Sequence, residues 1–411
     1  MDKDFETEMK VCRVGLTIFG LWPCLNKNAN WQSALRFTIL MISVLGFGNI
    51  PQTFKLIESI KDFDKAIEIL SNCDMAHLLV AIKSLNFWYH RKDLDVLVNA
   101  MIEDWKMTKN HTEKLIMRRN AKISYLVSVI IFWIVESAVA TFFALNCYNR
   151  IKESQAFRMG KVNASERIRP MYMLSKFPYD VQKSPYYEIT WIGQFLSTLN
   201  AATVFGAIDG FFVAIIFHLC AQMEILRERF KQLLARAALN ENKNEHLNLS
   251  PIIERHMYLL KIGDIIGNAF SMQLLMQLLT SLVIFCLTEY QIVRIITKDV
   301  IDVLELVFAT YYYTTFLMSL FAYCVIAVML STESTKLKET AYNSDWYRLS
   351  PSDMKLLIII MLRADRPVEL TAGKFVPLSM DLYCSILKTS GGYLSMLLAV
   401  KNSDREDHQE L

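Results

Sequence analysis

The chain contains 411 residues, of which 53% are apolar and 12% aromatic, and its mean hydropathy is +0.25. The 44 Lys and Arg residues nearly balance the 41 Asp and Glu residues, and this net charge of +3 argues against a nucleic-acid-binding protein. Segments 37–54, 265–288 and 306–332 contain no Asp, Glu, Lys or Arg, as expected of membrane spans. This composition excludes a disordered chain, a disulfide scaffold and an ordinary soluble enzyme, and it predicts an all-α, polytopic membrane protein.

The first segment, 1–34, is predicted to be a cytoplasmic N-terminus. Its first ten residues mix lysines with acidic residues, so a cleavable signal peptide is not expected. An apolar patch at 11–25 is too short to span a bilayer and is interrupted by Arg13 and Pro23. We therefore predict an interfacial or re-entrant helix here.

Seven membrane spans are predicted, and the first six lie within 35–330. The second is the least regular, because Glu68, Asp74 and Lys83 interrupt it. The fourth would be about 54 Å long as one helix, well beyond the ~30 Å hydrocarbon core, so one end is expected to project into water. The spans cover residues 35–56, 68–90, 122–147, 187–222, 265–290, 305–330 and 376–400.

The orientation of the chain follows from its basic residues. Lys and Arg are more frequent in the N-terminus and in the second, fourth and sixth loops than on the other side. This bias predicts a cytoplasmic N-terminus and an extracellular C-terminus. Segment 331–375 would then be cytoplasmic, 376–401 the last span, and 402–411 an extracellular tail.

Signatures of catalysis or metal binding are missing from the sequence. There is no HExxH, GxSxG or Walker motif, the histidines do not fall at ligand spacing, and the eight cysteines are isolated. We expect no enzyme activity, no metal and no cofactor. Intramembrane carboxylates occur at Glu136, Asp209 and Asp381, where an ionisable group suggests function. For Glu136 and Asp209, an interhelical hydrogen bond is the alternative.

The last predicted span carries a stripe of small and polar residues at helical spacing. A charged residue in the middle of a span costs roughly 2.5–3.5 kcal/mol on insertion, so the stripe must face protein or water rather than lipid. Two interpretations remain open, a seam between helices and the wall of a pore. The stripe consists of Asp381, Ser385, Lys388, Gly392, Ser395 and Ala399.

The C-terminal third contains a recurring set of motifs around this span. These motifs resemble those of the insect odorant receptor family, most densely over 340–401, and the length, seven spans and inner N-terminus agree with it. The motif residues are Tyr342, Asp345-Trp346-Tyr347, Leu349-Ser350-Pro351, Arg363, Pro367, Thr371-Ala372-Gly373, Pro377-Leu378, Ile386-Leu387-Lys388-Thr389-Ser390 and Tyr393.

The resemblance implies a channel in which four subunits each contribute their last helix to a central cation pore. Alignment on Tyr393 places an apolar gate at Met396 and Val400, one helical turn apart, which could close by dewetting. The adjacent glycines Gly391 and Gly392 could form a hinge below this gate, since glycine weakens a helix by roughly 1 kcal/mol. Further pore positions are implied at Ser395, Ala399 and Gly392.

The resemblance also implies that segment 345–362 anchors neighbouring subunits to each other. Trp346 and Tyr347 would contribute to this anchor. The alternative is an amphipathic helix that packs only within its own subunit. Both interpretations make these two aromatic residues structural rather than catalytic.

A small ligand pocket is implied in the outer half of the bundle, between the second, third, fourth and sixth spans. Its walls should be mainly apolar and aromatic, with one or two hydrogen-bonding groups. Ordinary core packing is the alternative for each candidate. The candidates are Met75, Leu78, Leu79, Trp133, Ser137, Thr141, Leu196, Leu199, Thr203, Tyr311, Tyr312 and Thr315.

The segment between the fourth and fifth spans, 223–264, is shorter than the resemblance implies for the shared odorant co-receptor. The chain is therefore expected to be an odorant-tuning subunit in the plasma membrane. Its expected partners are co-receptor subunits in a heterotetramer, a small volatile organic ligand and membrane lipid. The alternatives are a gustatory-type channel, a receptor that signals through G proteins, and a secondary transporter.

Overall fold

The computed structural model describes residues 3–23, 30–159, 168–239, 248–298 and 300–409; beyond residue 396 it describes only the backbone. The fold is an all-α bundle with one short antiparallel hairpin. The helices are α1 (Lys3–Ile18), α2 (Asn30–Met41), α3 (Ile50–Glu58), α4 (Phe63–Ile69), α5 (Met75–Tyr89), α6 (Arg91–Met107), α7 (His111–Arg158), α8 (Tyr186–Leu239), α9 (Ser250–Ile296), α10 (Val303–Tyr342), α11 (Pro351–Ala364) and α12 (Met380–Gln409). The strands are β1 (Thr371–Ala372) and β2 (Val376–Pro377), and shorter π and 3₁₀ segments cover Ile42–Asn49, Leu70–Asp74 and Trp346–Arg348.

Helix α8 is the centre of the bundle. It has 54 residues, about 81 Å at roughly 1.5 Å per residue, so it extends beyond a bilayer as the sequence predicts. The most apolar stretch of α8 is buried on every side, and a helix that is apolar all round needs neighbours on all of its faces. Helices α1, α5, α7, α9 and α10 supply these neighbours.

Five helical segments in the described residues are long and apolar enough to cross a membrane, namely Trp31–Glu58, α7, most of α8, α9 and α10. They correspond to the first, third, fourth, fifth and sixth predicted spans. The second predicted span is α4 and α5 joined by a π-helical turn, and it contains the charges noted above. The seventh is α12, which continues through Gln409, so most of the predicted tail at 402–411 is helical.

Helix α1 packs one face against the bundle and leaves the other exposed. Its residues Phe5, Met9, Cys12 and Leu16 recur at helical spacing and are all buried. The approach is close because a Cβ added at Gly210 of α8 would lie 2.9 Å from the Cys12 Sγ. The buried face of the predicted N-terminal helix is therefore part of the core.

Glu8 of α1 is a buried acid next to α6. Its carboxylate accepts a hydrogen bond from the Trp105 Nε1 at 3.2 Å. Burial raises the pKa of Glu8 from 4.5 to about 7, although His218 and the Trp105 hydrogen bond act in the opposite direction. The fold therefore favours the protonated acid.

A glutamine at position 8 tests this environment. Because the folded state holds the Glu8 proton more tightly than the unfolded chain does, the stability of the wild type should fall as the pH rises from about 4.5 to about 7. Glu8→Gln is expected to raise the melting temperature relative to wild type above pH ~7 and to leave it nearly unchanged below pH ~4.5. Thermal unfolding in detergent at both pH values checks this, and an equal shift at both would contradict it.

The hairpin fixes the start of α12 against α9. Thr371 pairs with Pro377 and Ala372 with Val376. Gly373 between them has φ +62°, a conformation that glycine adopts without strain, and its N–H donates to the Ser271 carbonyl at 3.0 Å. The last helix therefore begins from a fixed point on the bundle.

Helix α11 packs one face on α10 and leaves the other uncovered. Pro351 occupies its first turn, and the Ser350 hydroxyl caps it by accepting from the Asp353 N–H at 3.3 Å. Leu357 and Ile360 are buried. Exposed apolar residues of this segment are Trp346, Tyr347, Leu356, Ile358, Ile359 and Leu362.

Candidate ligand cavity

A cavity lies between α5, α7, α8 and α10, the same four helices that correspond to the predicted walls. Each helix presents residues at intervals of three or four, so one face of every helix lines the space. Its walls are Ala76, His77 and Val80 of α5, Val135, Ala138, Val139 and Phe142 of α7, Thr198, Ala201, Ala202 and Phe205 of α8, and Phe308, Tyr312, Thr315, Phe316 and Ser319 of α10.

Small residues create the space. Four alanines line the cavity, and their missing side-chain volume is not filled by their neighbours. Gly48 does not line the cavity but leaves room for the His77 ring, which does. A Cβ at position 48 would lie 2.5 Å from the His77 Cδ2 and would displace this ring. The space that the centres of water-sized molecules can occupy in the cavity has a volume of about 80 Å³. It holds roughly five to eight such molecules.

Aromatic rings surround most of this space. The ring centroids of Phe142 and Phe308 are 4.8 Å apart, those of Tyr312 and Phe316 are 5.1 Å apart, and Phe205 lies 6.2 Å from Phe316. The surface that such rings present is mainly apolar. A compact, largely apolar molecule fits these walls best.

The phenyl rings of Phe142 and Phe308 also separate the cavity from a second, more polar space. That space has a volume of about 350 Å³ on the same count and is lined by both rings and by Asn146, Asn149 and Glu305, among others. It lies where α10 begins and α7 approaches its end. The two rings therefore form a partition between a polar vestibule and the inner cavity.

Two of the predicted ligand-binding residues, Tyr312 and Thr315, line the cavity. The other ten do not. Trp133 is 67% exposed, and Leu78 and Leu196 are also exposed, so these side chains point out of the bundle. The remaining seven lie on neighbouring faces; they are Met75, Leu79, Ser137, Thr141, Leu199, Thr203 and Tyr311.

Several of the predicted residues that do not line the cavity connect neighbouring helices instead. The hydroxyls of Ser137 and Tyr311 are 2.7 Å apart and join α7 to α10. The Thr203 hydroxyl donates to the Glu136 Oε1 at 2.7 Å and joins α7 to α8. The interhelical hydrogen bond considered for Glu136 is thus confirmed.

Below the cavity lies a buried ion pair that the sequence did not reveal as a pair. The Lys83 Nζ and the Asp209 Oδ1 are 2.7 Å apart, and the two side chains are 0% and 3% exposed. The Tyr323 hydroxyl donates to the same oxygen at 2.7 Å. The ammonium also lies 3.8 Å from the centroid of the Phe205 ring, which lines the cavity. Asp209 therefore links three helices through these contacts.

Helix α12 places its polar stripe on the outside of the bundle. Asp381, Ser385, Lys388, Gly392 and Ser395 are all exposed. The opposite face is packed, and there the buried Ser390 hydroxyl donates to the Glu289 carboxylate of α9 at 3.2 Å. Among the residues that the structure describes, the stripe is therefore not a seam with another helix of the same chain.

The predicted gate lies at the C-terminal end of this stripe. Met396 is 64% exposed, and a Cβ at Gly391 or Gly392 would meet open space. The side chains of Val400 and Ala399 lie outside the described residues, although the backbone there is helical. The helix is continuous through both glycines, so the hinge stays a prediction.

Comparison with known proteins identifies a family that matches most of the chain. The family described as 7tm Odorant receptor matches residues 66–391. Odorant receptor 13a of Drosophila melanogaster is 25% identical over 96% of each chain. Odorant receptor 10 of Aedes albopictus is 24% identical over 54% of this chain, and the match spans 58% of that receptor.

The fold is similar to that of a solved receptor. The insect olfactory receptor OR5 from Machilis hrabei, in complex with eugenol, gives a TM-score of 0.77 over 97% of this chain and 100% of that one, at 16% identity. The all-α fold and the match over most of the chain thus agree with the motifs around α12. The chain is a multi-pass membrane protein that belongs to the 7tm odorant receptor family.

Proposed function

We propose that this chain is the odorant-tuning subunit of a ligand-gated, non-selective cation channel in the plasma membrane. A small volatile organic molecule binds in the cavity between α5, α7, α8 and α10. Binding favours an open state by its higher affinity for that state. Four subunits, including shared co-receptor subunits, surround a pore to which each contributes α12.

The exposed polar stripe of α12 is the observation that carries this proposal. Asp381 and Lys388 would each be costly against lipid, and no helix of the described residues covers them. An aqueous path shared with other subunits gives these side chains water. Met396 lies on the same exposed side of the helix, where it could act as a gate.

Two further observations support the proposed assembly with co-receptor subunits. The exposed apolar face of α11, with Trp346 and Tyr347, offers a surface for an intersubunit anchor. Helix α8 ends at Leu239 and α9 begins at Ser250, so the connection is short. The resemblance associates a longer connection with the co-receptor, and this favours the tuning role.

The test is current recording in oocytes that express this chain with an odorant co-receptor while volatiles are applied. The expected result is an inward cation current that persists when G-protein signalling is blocked. A response that disappears under this block would instead favour a receptor that acts through G proteins.

The pore assignment needs its own variants in the same recordings. Lys388→Gln and Met396→Ala are expected to change ion selectivity or the fraction of open channels, because both side chains would border the ion path. Thr332→Ala, an exposed threonine of α10 whose hydroxyl donates to the Val328 carbonyl, is the control outside α12. Unchanged currents in both test variants would contradict a pore lined by α12.

A further inference from the structure

A third space, distinct from the vestibule and smaller than the ligand cavity, extends the ligand cavity by one helical turn. It measures about 10 Å³ on the same count, close to the least that holds one water molecule. On α10 the lining passes from Ser319 to Tyr323, and on α8 from Phe205 to Asp209, each step being four residues. Ser319 lines both spaces and therefore stands at the boundary between them.

Two buried polar atoms lie where the ligand cavity meets this smaller space. Within the described residues, neither the Ser319 Oγ nor the Asp209 Oδ2 has a hydrogen-bond partner, although the two residues are only 8% and 2% exposed. The other carboxylate oxygen of Asp209 is already bonded to Lys83 and Tyr323. A buried polar atom left unpaired costs roughly 1–3 kcal/mol, so this end of the cavity favours a polar guest.

The two threonine hydroxyls of the cavity differ in this respect. The Thr198 hydroxyl donates to the Gln194 carbonyl at 3.0 Å, and the Thr315 hydroxyl donates to the Tyr311 carbonyl at 2.9 Å. Their hydrogens are therefore directed at their own helices rather than into the cavity. Of these three hydroxyls, that of Ser319 is the one without a hydrogen-bond partner within the described residues.

From this arrangement we infer that the cavity selects ligands carrying a hydroxyl or N–H donor, which Ser319 accepts at the end of the cavity next to Asp209. The inference rests on the proposed function, because it takes this cavity as the odorant site. One water in the smaller space connects Ser319 to the Asp209 Oδ2. The rest of the ligand fills the aromatic part of the cavity.

The direction of these hydrogen bonds follows from the carboxylate. A carboxylate can only accept, so the water directs an O–H to the Asp209 Oδ2 and accepts from the Ser319 hydroxyl. Hydrogen bonds in such a chain polarise one another in the same direction. Ser319 then offers its lone pairs to the ligand. An alcohol can donate to it, whereas an ether of the same size cannot.

Isomeric ligand pairs test this selectivity directly. The probes are n-pentanol with its isomer butyl methyl ether, and n-hexanol with pentyl methyl ether. Binding is measured as the concentration-dependent rise in melting temperature of the purified full chain in lipid nanodiscs. The same probes are applied in current recordings with the co-receptor.

The variants are Ser319→Ala and, as a control outside the cavity, Thr314→Val, which removes an exposed hydroxyl of the same helix that donates to the Thr310 carbonyl. Wild type and Thr314→Val are expected to bind each alcohol at least about tenfold more tightly than its isomeric ether. In Ser319→Ala this ratio should fall to about one, because the acceptor is lost.

The outcomes separate this inference from the proposed function. Equal binding of alcohol and ether by the wild type, an unchanged ratio in Ser319→Ala, or no binding of any probe would overturn the inference. Alcohol-selective binding that depends on Ser319 but evokes no current would uphold the inference and count against the proposed channel function. Selective binding with matching currents supports both.

Discussion

Replacing Lys83 by methionine is expected to destabilise the protein more than any surface substitution. The methionine removes the ammonium that lies 2.7 Å from the Asp209 Oδ1 and leaves this buried carboxylate without a counter-charge. Breaking a buried pair on one side costs about 3–5 kcal/mol. Melting of the purified protein in detergent, together with the amount reaching the cell surface, measures the effect.

Two controls isolate the cause of this loss. Lys65 and Asp62 are also 2.7 Å apart, but both are exposed, so Lys65→Met should hardly change the melting temperature. The double variant Lys83→Met with Asp209→Leu removes both charges and should be more stable than Lys83→Met alone. A double variant as unstable as the single one would show that the charge imbalance is not the cause.

Filling the cavity is expected to have the largest effect on ligand response. Ala138→Leu adds three carbon atoms to a wall of a space of only about 80 Å³. We expect ligand affinity to fall at least about tenfold. The fold should tolerate the change, because the added atoms enter existing space instead of displacing neighbours. Dose–response curves and melting temperatures measure the two effects.

Ala140→Leu is the matched control for this substitution. Ala140 lies two residues further along α7, which turns it to the exposed side of the helix. Its replacement should leave the dose–response curve unchanged. Equal loss of sensitivity in both variants would mean that leucine on α7 disturbs the channel without occupying the ligand site.

The sequence predicted which helices exist but not how they are rotated. Long uncharged runs identify α9 and α10 directly, and the polar stripe of α12 marked a face that the structure leaves exposed. On α7, the spacing of Trp133, Ser137 and Thr141 correctly placed them on one side. Periodicity does not say which side faces inward, and the cavity instead uses the face that contains Ala138 and Phe142.

Two features of the site had no clear signal in the sequence. Alanines such as Ala201 and Ala202 line the cavity through the volume they lack, and alanine is common in any helix. Lys83 appeared only as an interruption of an apolar segment. Its partner, Asp209, is 126 residues away, and only the packing of α5 against α8 brings the two together.

Under the proposed function, the partition formed by Phe142 and Phe308 has a consequence for how fast a ligand enters and leaves. A molecule that passes between the vestibule and the inner cavity has to push one of these rings aside, so capture by this route waits on a side-chain motion rather than on diffusion alone. The same motion governs escape. Smaller residues at these two positions should therefore shorten both the delay before a response and its persistence after the stimulus is withdrawn.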